Sequence, residues 1–583
     1  MHHMQCYKKD YPRPQLVRDN WVNLNGKWDF AFDRDDSGEG KGYFYGFDSQ
    51  TAINVPFAYQ TKASGVGVAE LCENIWYQRA FSAEDVGGGR LLLHLEGSDY
   101  LTKVWVNGIF CGSDTGAYHR LTFDITSAVK QGDNLLVVKV YDSYSRMQPR
   151  GKQRAEDHDY GCWYIDTSGI YKTVWLEYVP DVYISSIRVT PSLADQTARL
   201  HVRLNKSMSN AVVRCTAAFG GKAVAETTAF VEGDEAYAVL NLGNDFVPWE
   251  VGKGGLYDLA LALAIDGNVV DKAASYFGMR EISVSDGKIL LNGKPLYQRL
   301  VLDQGYWQNT DITPPDEEAL KKDIDDCIAM GFNGCRKHEK VEDERFLYYA
   351  DLCGYIVWAE MPSVYDFGEQ SRNALMREWK LAVEQQYNHP CVLVWVPFNE
   401  SWGVTSIKTD VEQQQFVNQV YLATKQIDPM RPVICNDGWE HTMSDILTIH
   451  HYTQDGAALH SYFDTLDKCI KNPFDGHDKG AFADGYTYRG QPVMITEFGG
   501  TSFVKDTTGD KWGYGQAVKD DAEYLVRLDG LVGGIVDIPF ICGFCYTQVS
   551  DVYHEVNGLL AFDRTPKESF DKYRKIFAKQ PKV

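Results

Sequence analysis

The chain has 583 residues, a formal net charge of −22, and 44% hydrophobic, 24% charged and 13% aromatic residues. At roughly 100–200 residues per domain, this length predicts about three to five folding units. The excess of acid argues against nucleic-acid partners and against docking on an anionic membrane, both of which need a basic surface. No run reaches 18 apolar residues, so no membrane-spanning helix is predicted, and Met1–Asp10 lacks the apolar stretch of a secretory signal. The 13 cysteines are scattered, several within apolar strand-like runs (Cys391, Cys435, Cys542, Cys545), which fits reduced thiols in a cytoplasmic protein. The 14 Trp and 35 Tyr would suit stacking on flat, neutral ligands such as sugars, although burial in β-rich cores is the commoner use.

Residues 1–180 read as all-β. Short apolar stretches (Trp28 to Phe32, Leu91 to Leu95, Thr102 to Val106) are broken by turn signals, among them the hairpin pair Asn107-Gly108, and Gly132-Asp133-Asn134 leads into Leu135 to Val140. Strands at this spacing predict a jelly-roll-like β-sandwich. Residues 181–280 continue with short alternating strands (Ile187 to Thr190, Ala198 to Val202, Tyr257 to Leu261) and predict an immunoglobulin-like β-sandwich acting as a spacer.

From 281 to 583 apolar strands alternate with helical periods. Pro314-Pro315-Asp316-Glu317-Glu318 opens a helix whose Leu320, Ile324 and Ile328 recur on one face. Eight strands are expected: Tyr297 to Leu302, Asn333 to His338, Tyr355 to Met361, Val392 to Asn399, Arg431 to Asn436, Ile446 to Tyr452, Pro492 to Phe498 and Ile541 to Thr547. Near-continuous apolar runs suit a parallel sheet buried on both faces, here a (β/α)8 TIM barrel with its functional groups at the C-terminal ends of the strands.

At two of those ends a carboxylate follows an apolar run: Glu400 in Phe398-Asn399-Glu400-Ser401-Trp402, and Glu497 in Ile495-Thr496-Glu497-Phe498-Gly499. A carboxylate pair across an aromatic-lined mouth is the equipment of glycoside hydrolysis. These motifs, and the three-module order, resemble glycoside hydrolase family 2, which holds β-galactosidases, β-glucuronidases and β-mannosidases. The resemblance implies that Glu497 is the nucleophile, Glu400 the acid/base, and Asn399 a partner of the sugar 2-hydroxyl, with retention of anomeric configuration. It also implies that Arg336 supports the nucleophile, that His338 sits at the sugar site, and that a loop of the first sandwich, Arg150 to Gln153 and Glu156 to Tyr164, reaches the barrel mouth.

The other substrate-binding candidates are Asp303, His450, Tyr452, Trp402, Trp439, Tyr546 and Glu360, the last favoured as a supporting carboxylate. His451, Asn436, Asp437, Asp551, Glu555 and Asn557 are weaker ones. Charge on Glu497 is expected to raise the pKa of Glu400 and keep it protonated, with the carboxyl groups about 5–5.5 Å apart.

The chain departs from the family pattern in three places. Asp303 stands where a sugar-contacting His is usual. Asn557-Gly558-Leu559 lacks the lysine of the Asn-x-Lys motif with which β-glucuronidases grip a substrate carboxylate. No Glu-x-His metal pair precedes Glu400. Lys337, Lys340 and Arg336 are left as alternative partners for a uronic acid. No metal and no cofactor are expected: Asp157, His158, Asp159 and Cys162 match no zinc spacing, and there is neither a phosphate loop nor a serine-hydrolase elbow. The reading is therefore a cytoplasmic retaining exo-β-glycosidase acting on a carbohydrate, a β-galactoside or β-hexuronide, with a homo-oligomer possible. Its alternatives are a non-catalytic carbohydrate-binding protein and a transglycosylase of the same fold.

Overall fold

The computed structural model describes residues 3–49, 51–471, 479–503 and 511–581. The first sandwich starts at Trp21 and pairs a four-stranded sheet with a six-stranded one. Leu101–Val106 and Ile109–Thr115 form the expected hairpin, with Asn107 and Gly108 both at positive φ (53° and 78°), as the turn requires. In the second sandwich the long strand Lys222–Glu232 pairs with Ala211–Phe219 along most of its length and with Glu235–Asn241 at its end, linking two layers. Alternate residues fill its core (Leu200, Val202, Val213, Cys215, Leu261, Leu263). Residues ahead of the first sandwich cross the other two modules: Val17 bridges Ala274, and the Tyr7 hydroxyl donates to Glu317 at 2.9 Å.

In the third module seven strands pair in parallel in the order Val392–Val396, Ile356–Glu360, Gly334–Lys337, Gln298–Asp303, Ile541–Thr547, Val493–Gly499, Leu447–His450. Helices α1 (Glu317–Ala329), α2 (Glu344–Cys353), α3 (Glu369–Gln386), α4 (Val411–Ile427), α5 (Gly456–Phe463), α6 (Leu466–Lys471), α7 (Asp521–Val536) and α8 (Phe570–Phe577) accompany them. Five of these helices (α1, α2, α4, α5, α7) start at an Asp whose side chain accepts a first-turn N–H, from Asp316 to Asp520. In α1, Leu320, Ile324 and Cys327 are buried, whereas Ile328 is 38% exposed: the apolar stripe turns through Cys327.

The fifth predicted strand, Arg431 to Asn436, is not a regular strand. It meets the fourth only through isolated bridges, Trp395 to Val433 and Asn399 to Asp437. Pro432 has no N–H to give. Side chains take the place of the ladder, with Val433 N–H donating to Asp445 Oδ2 at 2.8 Å and Cys435 N–H to Ser444 Oγ at 3.4 Å. All 13 cysteines are free thiols. Cys542 and Cys545, although three apart, lie on one extended strand, whose alternation sends their side chains to opposite faces. No described helix is long and apolar enough to cross a membrane.

Candidate active site

The irregular fifth segment positions Glu400. Glu400 and Ser401 both take left-handed backbone (φ 51° and 62°), a conformation that costs a non-glycine residue about 1–2 kcal/mol. Asp437 O accepts from Glu400 N–H and Asn436 Oδ1 from Ser401 N–H, each at 2.9 Å, while the Ser401 hydroxyl donates to Glu440 at 2.6 Å.

His450, at the end of its strand and 2% exposed, faces both carboxylates. Its Nδ1 lies 2.8 Å from Glu400 Oε1 and 3.5 Å from Glu497 Oε2, and its Nε2 lies 3.4 Å from Asp437 Oδ2. Gly438 makes room for the ring, because a Cβ there would stand 2.7 Å from Nδ1. Burial disfavours the imidazolium, but Glu497, Asp437 and Glu400 outweigh it and raise the His450 pKa to about 10. Burial likewise pushes Glu400 up, yet the His450 hydrogen bond and charge prevail and hold it below its ordinary value. This corrects the expectation that Glu497 keeps Glu400 protonated: the proton between the two carboxylates is stored on His450.

Arg336, fully buried, has every nitrogen engaged. Nε donates to Glu360 at 2.7 Å; Nη1 lies 2.9 Å from Glu497 Oε1 and 3.0 Å from Asp437; Nη2 donates to Asn399 Oδ1 at 2.7 Å and reaches His338 Nδ1 at 2.8 Å. It therefore acts as a clamp on the carboxylates and has no donor left for substrate. Glu360, also fully buried, holds Arg336 and the Glu339 N–H, so it is the orienting carboxylate and not a substrate contact. Burial, then the charges of Lys152 and Arg336, keep His338 neutral, well below its ordinary pKa. Asn399 spends its carbonyl on Arg336, and no described side chain accepts from its amide nitrogen.

Tyr452 donates its hydroxyl to Glu497 and stacks on Tyr514, with centroids 3.4 Å apart. Trp439 sets its edge against His450 at 5.6 Å. Trp402 meets Trp163 of the first sandwich at 5.1 Å and Tyr365 at 5.7 Å, an aromatic wall shared by two modules.

Two further candidates move out of the site. Asp303 accepts from Lys337 Nζ (2.5 Å) and from Gly305 N–H (2.8 Å), so both its oxygens serve the strand end. Tyr546 points outward into the core, packed on Phe498 (5.5 Å) and on Phe577 of α8 (5.1 Å), and is no sugar platform. Among the weaker candidates, His451 packs on Tyr462 and Phe463, Asp551 pairs with Lys567 at 2.6 Å, and Asn557 donates to Glu555 at 3.0 Å in a buried network.

The loop of the first sandwich does reach the mouth. Arg150 and Gly151 N–H donate to Ser363 O at 2.9 and 3.2 Å, Tyr164 donates to Glu555, and Trp512 Nε1 donates to Gly161 O at 2.9 Å. Gly151 (φ 58°) sits so close to the barrel that a Cβ would stand 2.7 Å from Glu339 O. Tyr514, Trp163, Lys152 and Thr496, whose hydroxyl donates to Asp437 Oδ1 at 2.7 Å, were missed as individual site residues. Lys152 and Trp163 carried a signal as members of the polar-aromatic loop, and Thr496 as the neighbour of Glu497 in its motif.

Among the described residues, two side-chain groups converge enough to be tested as cation sites. Donor atoms of Glu400, His450 and Glu497 lie within 4.8 Å of one another, but the Arg336 guanidinium and the charged His450 already supply the positive charge there. Asp351, His389 and Cys391 also converge, yet the Asp351 oxygens are taken by His389 (2.6 Å), Tyr276 (2.8 Å) and Cys391 N–H (2.8 Å), a buried structural network.

Residues 21–180 match the sugar binding domain of glycosyl hydrolases family 2, residues 182–280 a second domain of that family, and residues 282–524 its TIM barrel domain. The chain belongs to glycosyl hydrolase family 2. It is 26% identical over 372 residues to a β-galactosidase of Thermoanaerobacter pseudethanolicus, covering 61% of this chain and 48% of that one. It is 25% identical over 454 residues to a β-glucuronidase of Rattus norvegicus, covering 70% and 68%. The chain spans about half the length of several curated family 2 relatives it matches. In structure it is similar to a β-glucuronidase of Ruminococcus gnavus, with a TM-score of 0.81, 17% identity, and 97% and 100% of the two chains covered. That likeness extends the family 2 fold over all three modules.

Proposed function

We propose that this family 2 protein is a retaining exo-β-glycosidase, with Glu497 as nucleophile and Glu400, working with His450, as acid/base. The observation that carries the reading is the convergence of Glu400 and Glu497 on one imidazole, with an oxygen of each within 4.8 Å of an oxygen of the other. Retaining pairs stand about 5–5.5 Å apart, whereas inverting pairs leave about 6.5–9.5 Å for a water. Glu497, clamped by Arg336 and Tyr452, forms a bond to the anomeric carbon as the glycosidic C–O bond breaks. The leaving oxygen takes the Glu400–His450 proton. Water then attacks the glycosyl-enzyme, gives its proton back to the same pair, and releases the sugar with its configuration retained.

Trp163, Trp402 and Tyr365 pack edge to face as a wall beside Glu400, a setting that suits end-on cleavage. The candidate glycones are β-galactosides and β-hexuronides, and thirteen free thiols suit a reducing compartment such as the cytoplasm. The test is a panel of nitrophenyl β-glycosides with wild type, Glu497→Ala and Glu400→Ala. Glu497→Ala is expected to abolish turnover and azide to rescue Glu400→Ala in part. Near-normal turnover by Glu497→Ala would remove the assignment.

A further inference from the structure

We propose that Lys152, delivered to the barrel by the first sandwich, determines specificity by meeting the carboxylate of a β-hexuronide glycone. The inference rests on the glycosidase reading and names the substrate class of the same site. Lys152 follows Gly151 in the segment pinned to Ser363, and its own carbonyl accepts from Tyr164 N–H at 2.8 Å. Backbone bonds on both sides therefore fix where the side chain starts.

The lysine is only 9% exposed, and among the described residues its ammonium has one close partner, the neutral thiol of Cys162 at 3.4 Å. No described carboxylate forms an ion pair with it. Yet it lies among the catalytic groups: its charge acts on Glu400 and His338, and those of Glu497, Glu339 and Glu555 act on it. Burial disfavours the ammonium, but Cys162 and the Glu339, Glu555 and Glu497 charges outweigh it and hold Lys152 protonated, its pKa raised. A ligand carboxylate gives this charged ammonium the direct ion pair it lacks, whereas a neutral hexose offers only hydroxyl dipoles.

The other cations near the mouth are already spent. Arg336 is saturated as described. Lys337 pairs with Asp303 (2.5 Å) and Glu342 (2.8 Å), and Lys340 pairs with Glu342 (3.2 Å) and donates to Gly305 O.

The experiment compares nitrophenyl β-glucuronide and β-galacturonide with the matching β-glucoside and β-galactoside, using the full chain as wild type, Lys152→Met and Lys152→Arg, with melting curves to establish folding. Wild type is expected to favour a hexuronide over its neutral twin. Lys152→Met should cut that kcat/KM ratio about 100-fold, whatever loss the two substrates share, and Lys152→Arg should keep most of it. A wild type that prefers the neutral twin, or a Lys152→Met ratio unchanged, overturns the proposal. Calorimetric titration of free glucuronate separates the two readings. Lys152-dependent binding without turnover of any glycoside would refute the glycosidase reading and uphold the carboxylate contact. Binding that ignores Lys152 would refute the contact.

Discussion

Replacing His450 by Asn removes a charge that three carboxylates share, Glu400 at 2.8 Å, Asp437 at 3.4 Å and Glu497 at 3.5 Å. The folded pKa of about 10, against the ordinary 6.5, means that the fold favours the imidazolium by ~5 kcal/mol, an order-of-magnitude figure at about 1.4 kcal/mol per pH unit. Because the folded value is raised, this stabilisation is complete below pH 6.5 and is lost as pH climbs to about 10. The same proton serves catalysis, so the alkaline limb of kcat/KM for wild type should fall near pH 10. In His450→Asn the largest opposition to burial at Glu400 is gone and only the Lys152 and Arg336 charges remain, so the limb should move toward acid. At pH 8 hydrolysis of an alkyl glycoside should drop by ~10²–10⁴, and that of a dinitrophenyl glycoside, whose leaving group needs no proton, by far less. An unchanged alkaline limb, or equal losses on the two leaving groups, would refute the proton store.

Arg336→Met leaves Glu360, Asp437 and Glu497 without their buried cation. A loss of at least ~3–5 kcal/mol is expected, read by calorimetry as a fall of order 10 °C in the barrel transition. Arg336→Lys should rescue little, since one ammonium cannot span these partners. Tyr452→Phe removes the donor to Glu497 but keeps the stack on Tyr514; steady-state kinetics should show kcat down by ~10–100-fold with KM little changed. Tyr546→Phe should leave kcat/KM within about twofold, while Tyr546→Ala should cost ~3–5 kcal/mol in a denaturant titration, because the ring belongs to the core. A tenfold kinetic loss in Tyr546→Phe would return that ring to the sugar site.

The barrel strands were legible where they are buried on both faces and written as near-continuous apolar runs, Val392–Val396 being the plainest and Gly334–Lys337, which carries Arg336 and Lys337, the least so. The fifth looked the same from Val433 to Cys435, but Pro432 and the Asp445 and Ser444 side chains replace its ladder. Glu400 and Glu497 were singled out as a pair, one in Asn-Glu and one in Thr-Glu-Phe-Gly, because a lone carboxylate after such a run, like Glu360, is more often a structural acceptor. The ligand roles given to Asp303 and Tyr546 failed for a shared reason: position at a strand end does not say which way a side chain faces or which partner takes it. The Glu400 pKa runs opposite to the expectation because the fold puts His450, which the sequence does not pair with either carboxylate, against both of them. The links Tyr164 to Glu555 and Trp163 to Trp402 join residues hundreds of positions apart, and no local pattern encodes them.

Central to the account is a covalent glycosyl-enzyme on Glu497. Incubation with a 2-deoxy-2-fluoro β-glycoside of the preferred sugar, followed by mass spectrometry of proteolytic peptides, should place one glycosyl unit on the peptide containing Val493–Gly499, at Glu497. A label on Glu400 or another residue, or inactivation without a covalent adduct, would contradict it.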